Sequence, residues 1–140
     1  MKKVLSLLMC SILILSLSGC SMIKDKKVLK EVQENEIEMY EEEVKEGIIN
    51  KGEYNVYIDG DTLVIEEHLD SDIALGWRDY NIFDNTLVDI LAERSEMTKE
   101  ILEMKGATSN CHVKIITKDF NTNTIFITVQ DGQVLYNFFN

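Results

Sequence analysis

Reactive groups are scarce in this chain of 140 residues: three cysteines, two histidines and, among fourteen basic residues, two arginines. Each scarcity closes off a class of function. Cys10 and Cys20 fall in the first twenty residues, which leaves Cys111 alone in the body of the chain and no intramolecular disulfide framework. A lone cysteine of this kind is expected as a small buried hydrophobe. Proteins that bind nucleic acid neutralise phosphates with lysine and arginine. With 25 acidic residues against 14 basic ones and a net charge of −11, this chain is expected to have no nucleic-acid partner. The acidity reads as solubility, repulsion from anionic surfaces or attraction to cations. No Gly-x-Ser-x-Gly elbow, phosphate loop or zinc-protease motif occurs. No catalytic residue, metal ligand or cofactor is therefore assigned, and the chain is read as not an enzyme.

What is present first is an address. Met1-Lys2-Lys3 is a short positive cap, and Val4 to Leu17 comes next without a charge. A basic start, an apolar run of 7–15 residues and small residues after it are the parts of a secretory signal peptide. A membrane span needs about 20 apolar residues, so a permanent span is the weaker reading. The tetrad Leu17-Ser18-Gly19-Cys20 resembles the bacterial lipobox. The resemblance implies diacylglyceryl transfer to the Cys20 thiol, with palmitate-class chains, and cleavage between Gly19 and Cys20. One acyl chain binds a membrane marginally, and two hold at ~0.8 kcal/mol per buried CH₂. The expected location is the extracytoplasmic face of the cell membrane, lipid-anchored.

Removing residues 1–19 leaves 121 of the 140 and takes away Lys2 and Lys3 but no acid, for 12 basic against 25 acidic residues, about −13. The expected divisions are a signal peptide over 1–19, a lipidated tether over 20–24, an acidic helix or stalk with linker over 25–52, and a small α+β domain over 53–140. From Asp25 to Glu46 helix formers dominate, ending at Gly47. Leu29, Val32, Met39 or Tyr40, and Val44 give it a thin apolar stripe, and Glu34, Glu38, Glu42 and Glu46 repeat every four residues. Its lysines come first and its glutamates last, opposite to the helix dipole. Either Lys24, Lys26, Lys27 and Lys30 lie beside anionic headgroups, at ~1 kcal/mol each, or this is a solvated helix with incidental charge order.

Beyond it, two alternating runs flank Asp59-Gly60-Asp61, a hairpin signal. Asp70 to Phe83 has no clean period and reads as a loop or a short helix carrying Trp77 and Tyr80. Asp84 or Asn85 is expected to cap the best helix, Leu87–Lys105, with Leu87, Ile90, Leu91, Met97, Ile101 and Met104 as its apolar stripe and Arg94 within it. Cys111–Thr117, the run around Ile125–Val129, and Val134–Phe139 after Asp131-Gly132 complete a three-strand meander. The expected fold is α+β, an antiparallel sheet of four to five strands packed by that one long helix, with the acidic helix in addition. From Glu53 to Asn140, "GDTLVIEE", the central helix and "FITVQDGQVLYNFF" are similar to a family of small uncharacterised lipoprotein domains of Gram-positive anaerobes. The resemblance supports fold and location and carries no catalytic residue.

Several chemistries have candidate residues. Cys111 and His112 are adjacent on a strand, so they point to opposite faces and form no nucleophile pair. Glu66, His68 and His112 are a zinc candidate only if their strands bring them together, and solvated histidines are favoured. Asp59-Gly60-Asp61 lacks the ligand spacing of a calcium loop and reads as a turn. Trp77, Tyr80, Phe83 and Tyr136 close a core edge or form an aromatic partner site. The function expected is a non-enzymatic binding or interaction module tethered by Cys20. Its partner is an extracytoplasmic protein or small ligand; the alternative is a small ligand- or metal-cation-binding accessory lipoprotein.

Overall fold

The computed structural model describes residues 2–70, 72 and 86–139, with side chains from Gly19 onward. The aperiodic stretch around Trp77, Tyr80 and Phe83, and the cap at Asp84 or Asn85, lie outside the described residues. The elements are α1 (Lys2–Lys45), β1 (Tyr54–Asp59), β2 (Thr62–Leu69), α2 (Thr86–Met104), β3 (His112–Asp119), β4 (Ile125–Gln130) and β5 (Gln133–Asn137). The α+β class holds, with five strands in the order β1-β2-β3-β4-β5.

Both hairpin turns form where the Asp-Gly pairs stand. Asp59 pairs with Thr62 across the first and Gln130 with Gln133 across the second. In the latter, Asp131 and Gly132 both have positive φ, 50° and 82°, the signature of a type I′ turn whose twist suits a hairpin. One pairing departs from the expected antiparallel sheet. β2 and β3 run parallel, in register from Thr62↔His112 to Leu69↔Asp119, because α2 carries the chain back across the sheet between them.

Both helices lie on one face. α1 covers β1 and β2, and α2 covers β3, β4 and β5. Leu63, Ile65, Val113 and Ile115 point at them and are fully buried, as their alternation predicts. The acidic helix joins this layer: Val28, Leu29, Val32 and Tyr40 are in the core. Ser21–Lys24, expected as a tether, is helical and continuous with the remainder of α1. Both helices end in the same hydrogen-bonded motif, Ile48 N–H to Glu43 O with Gly47 N–H to Val44 O, and Ala107 N–H to Leu102 O with Gly106 N–H to Glu103 O.

The apolar stripe of α2 is a correction. Leu91 is buried, but Ile90, Met97, Ile101 and Met104 are exposed. The face against the sheet is Val88, Leu91, Ala92, Ser95, Thr98 and Leu102. Ser95 Oγ donates to Ala92 O at 2.8 Å and Thr98 Oγ1 to Arg94 O at 2.9 Å. These hydroxyls satisfy themselves one turn back, so they are buried at little cost.

Candidate functional site

Three clusters of polar groups stand out, and the first lies on α1 close to Cys20. Gly19 and Cys20 are exposed on α1, with no heavy atom within 4 Å of a Cβ placed on Gly19. A few residues on, the helix is already clamped. Asp25 accepts from Thr108 N–H at 2.8 Å and from Thr108 Oγ1 at 2.6 Å, and Lys105 Nζ donates to Glu31 at 2.6 Å. The Thr108 hydroxyl above all holds the Asp25 carboxyl below its ordinary range. Cys111, buried as expected, lies beside Asp25, and burial, then Asp25 and Asp61, push its thiol up to about 11. A thiol that stays protonated is a poor nucleophile. An open cavity of about 530 Å³ lies here, lined by Ser21, Met22, Asp25, Lys26, Leu29 and Asp61 among others.

The second cluster ties the two helices to the sheet. Arg94 donates through Nη1 to Glu67, and through Nη2 to Tyr40 Oη at 2.7 Å and to Glu36 at 3.2 Å. Tyr40 Oη in turn donates to Glu67. The guanidinium carbon sits 5.5 Å from the Tyr40 ring centroid, and that ring stacks on Tyr54 at 4.6 Å. Burial, then the charge of Glu67, raises the Tyr40 pKa above its ordinary value. Burial works against the Arg94 charge, but Glu67 more than offsets it and raises the pKa. One guanidinium thus serves two carboxylates and a phenol.

The third cluster locks the β4–β5 turn. His112 Nδ1 lies 2.5 Å from Asp131 Oδ2, Val113 N–H donates to Asp131 Oδ1 at 2.8 Å, and Lys99 Nζ is 3.4 Å from the same carboxylate. Gly132 N–H donates to Ser95 Oγ at 2.9 Å. Although serine, histidine and aspartate gather here, Ser95 is fully buried and its hydroxyl is engaged by backbone on both sides, donating to Ala92 O and accepting from Gly132 N–H.

The zinc candidate is not assembled. In the β2–β3 register Thr62 stands opposite His112 and His68 opposite Lys118, which puts the histidines six residues, or about 20 Å, apart along the sheet at ~3.3 Å per residue. His68 sits edge-on to Phe120. Glu66 is buried, bonded by Lys118 Nζ at 2.6 Å and Tyr57 Oη at 3.1 Å. Burial opposes its charge, but Lys118 prevails and lowers its pKa. Of the aromatic candidates, Tyr136 is exposed and the other three lie outside the described residues.

Sequence reading missed the partners of Arg94 and Asp131. The first had a signal: a charge inside an apolar stripe requires a counter-charge. Among the described residues no helix is long and apolar enough to cross a membrane. No family model matches the chain, and no curated protein does. A solved structure of a candidate secreted protein of Pseudomonas aeruginosa is 18% identical, covering 76% of this chain and 90% of its own, with a TM-score of 0.43. No residue role transfers from it at that level of likeness.

Proposed function

We propose that this chain is a lipoprotein precursor, cleaved between Gly19 and Cys20, and that the mature protein is a non-enzymatic binding module held on the extracytoplasmic face of the membrane by a diacylglyceryl group on Cys20. The observation that carries the reading is Leu17-Ser18-Gly19-Cys20 behind a basic cap and an apolar run. The surroundings of Cys20 support it. Met22, Ile23 and Met104 are 60%, 72% and 78% exposed, and Lys24 lies against Gly106, next to Lys105. Exposed apolar side chains amid Lys24, Lys26, Lys27, Lys30 and Lys105 suit the boundary between acyl chains and anionic headgroups.

The test is the intact mass of the native protein. An N-terminal Cys20 peptide carrying a diacylglyceryl increment is expected, and a Cys20→Ala full-length variant accumulates uncleaved. Release of wild-type protein into the medium, or an unmodified Cys20 peptide, refutes the reading. The cavity beside the anchor supports a second reading, a small-ligand-binding accessory lipoprotein. Its volume falls within the ~300–1,000 Å³ of ligand pockets. A ligand that raises the melting temperature of wild type but not of Asp61→Ala would favour it.

A further inference from the structure

The two edges of the sheet are treated differently. At β1, α1 packs over the strand and Gln33 Nε2 donates to the Val56 carbonyl at 3.0 Å, so the edge has a side-chain guard. At β5 the outer backbone edge has no hydrogen-bond partner among the described residues. Val134, Leu135 and Tyr136 are 46%, 56% and 45% exposed. α2 reaches part of β5, and the pairing with β4 shifts register so that Leu135 has no partner residue there, yet all three side chains remain exposed. Soluble proteins blunt such edges with lysine, proline, a bulge or a cover; Gln133–Asn137 holds no lysine or proline, and the one irregularity is the register shift opposite Thr128 and Val129.

The charge pattern says what covers it. Among residues 120–140 the single charged side chain is Asp131, in a chain of net charge −11. Two copies repel one another over most of their surface and meet without repulsion along β4 and β5. A two-fold contact sets each residue against its own kind or its symmetry mate, which a charged strand resists and an uncharged one permits. A depression of about 390 Å³ lined by Thr124, Ile125, Thr128, Tyr136 and Phe138 flanks the strand and offers room for side chains from a facing strand.

We propose that β5 pairs antiparallel with β5 of a second copy, joining two five-stranded sheets into one of ten strands. The two-fold axis of such a pair is normal to the sheet. Both helix layers therefore fall on the same side, and two anchors at Cys20 enter a single bilayer. The pairing does not depend on the lipid, so failure of the lipoprotein reading leaves it standing.

Sedimentation equilibrium of the protein, purified in a density-matched nonionic detergent, tests it. At tens of micromolar, wild type is expected as a dimer and Leu135→Lys as a monomer with unchanged circular dichroism, since Leu135 is outside the core. Val134→Cys, Leu135→Cys and Tyr136→Cys, taken one at a time, are expected to give more disulfide-linked dimer than the parent under mild oxidation at one position or more, and Ile90→Cys on α2 no more than the parent. A monomeric wild type overturns the proposal. So does a dimer that survives Leu135→Lys, or one that crosslinks through Ile90→Cys and not through β5.

Discussion

Replacing Arg94 with methionine keeps most of the side-chain volume and removes the charge shared by Glu36, Glu67 and Tyr40. Arg94 is 29% exposed, Glu36 14% and Glu67 23%, so all three groups are largely but not wholly out of water. Breaking a fully buried pair from one side costs ~3–5 kcal/mol. Partial exposure lets water reach the abandoned carboxylates, which brings the expected loss to about 2–3 kcal/mol. For a domain of this size ~4 °C follows each kcal/mol, so melting should fall by about 10 °C at pH 7. Glu67→Gln added to Arg94→Met recovers part of the loss by removing one of the stranded charges. Thermal melts followed by circular dichroism at pH 7 measure both effects. If Arg94→Met melts within 2 °C of wild type, or Glu67→Gln recovers none of its deficit, the cluster does not hold the helices to the sheet as described.

Three further outcomes are expected. Burial opposes ionisation of Asp131, but the Val113 N–H, His112 and Lys99 prevail and lower its pKa. The stability it supplies is present above its ordinary pKa and lost as pH falls through the lower folded value, so Asp131→Asn is less stable at pH 7 and loses less than wild type on acidification from pH 5 to 2.5. Cys111, its thiol pushed up to about 11, resists alkylation at pH 8 in the folded protein and reacts on unfolding; rapid native labelling of the Cys111 peptide would contradict its burial. Gly60 and Gly132 both have positive φ, but a Cβ meets nothing at Gly60 and lies 3.3 Å from the Glu96 side chain at Gly132. Alanine should cost ~1 kcal/mol at the first for the backbone alone and more at the second, and equal urea midpoints for the two variants would sink the comparison.

The hairpins were legible because few residue pairs satisfy a two-residue loop, and Asp131-Gly132 is one of them. Strand faces were legible for Leu63, Ile65, Val113 and Ile115 because alternation fixes parity. Partnership was not, since parity is silent on which strand lies alongside. The helix between β2 and β3 was the available sign that the two run parallel. On α2 hydropathy pointed the wrong way: Ile90, Met97, Ile101 and Met104 outscore Ser95 and Thr98. A hydroxyl bonded to the carbonyl a turn behind it has lost its polarity for the purpose of packing, and its small size suits a helix lying close on a sheet. The same blindness applies to Glu66, whose burial comes from Lys118 on the neighbouring strand and from Tyr57, neither of which spacing along the chain could supply.

If α1 is cut at Cys20, its lysines stand near the new N-terminus and precede its glutamates, against the helix dipole, and an anionic surface at that end is the expected reason. The opposing dipole term is worth ~0.3–1 kcal/mol near a terminus, and ~1 kcal/mol per lysine is available at an anionic surface. Four lysines between Lys24 and Lys30, joined by Lys105 from α2, outweigh the dipole wherever such a surface is present. They cost a little wherever it is absent. The arrangement is therefore favourable only if that end of the helix meets an anionic surface. Vesicle binding of the full-length Cys20→Ser variant separates the two cases, provided the apolar run 4–17 contributes equally to both lipids. Tighter binding to anionic than to neutral vesicles, reduced by Lys26→Gln with Lys27→Gln, is expected, and equal binding to both would make the order of charges on α1 incidental.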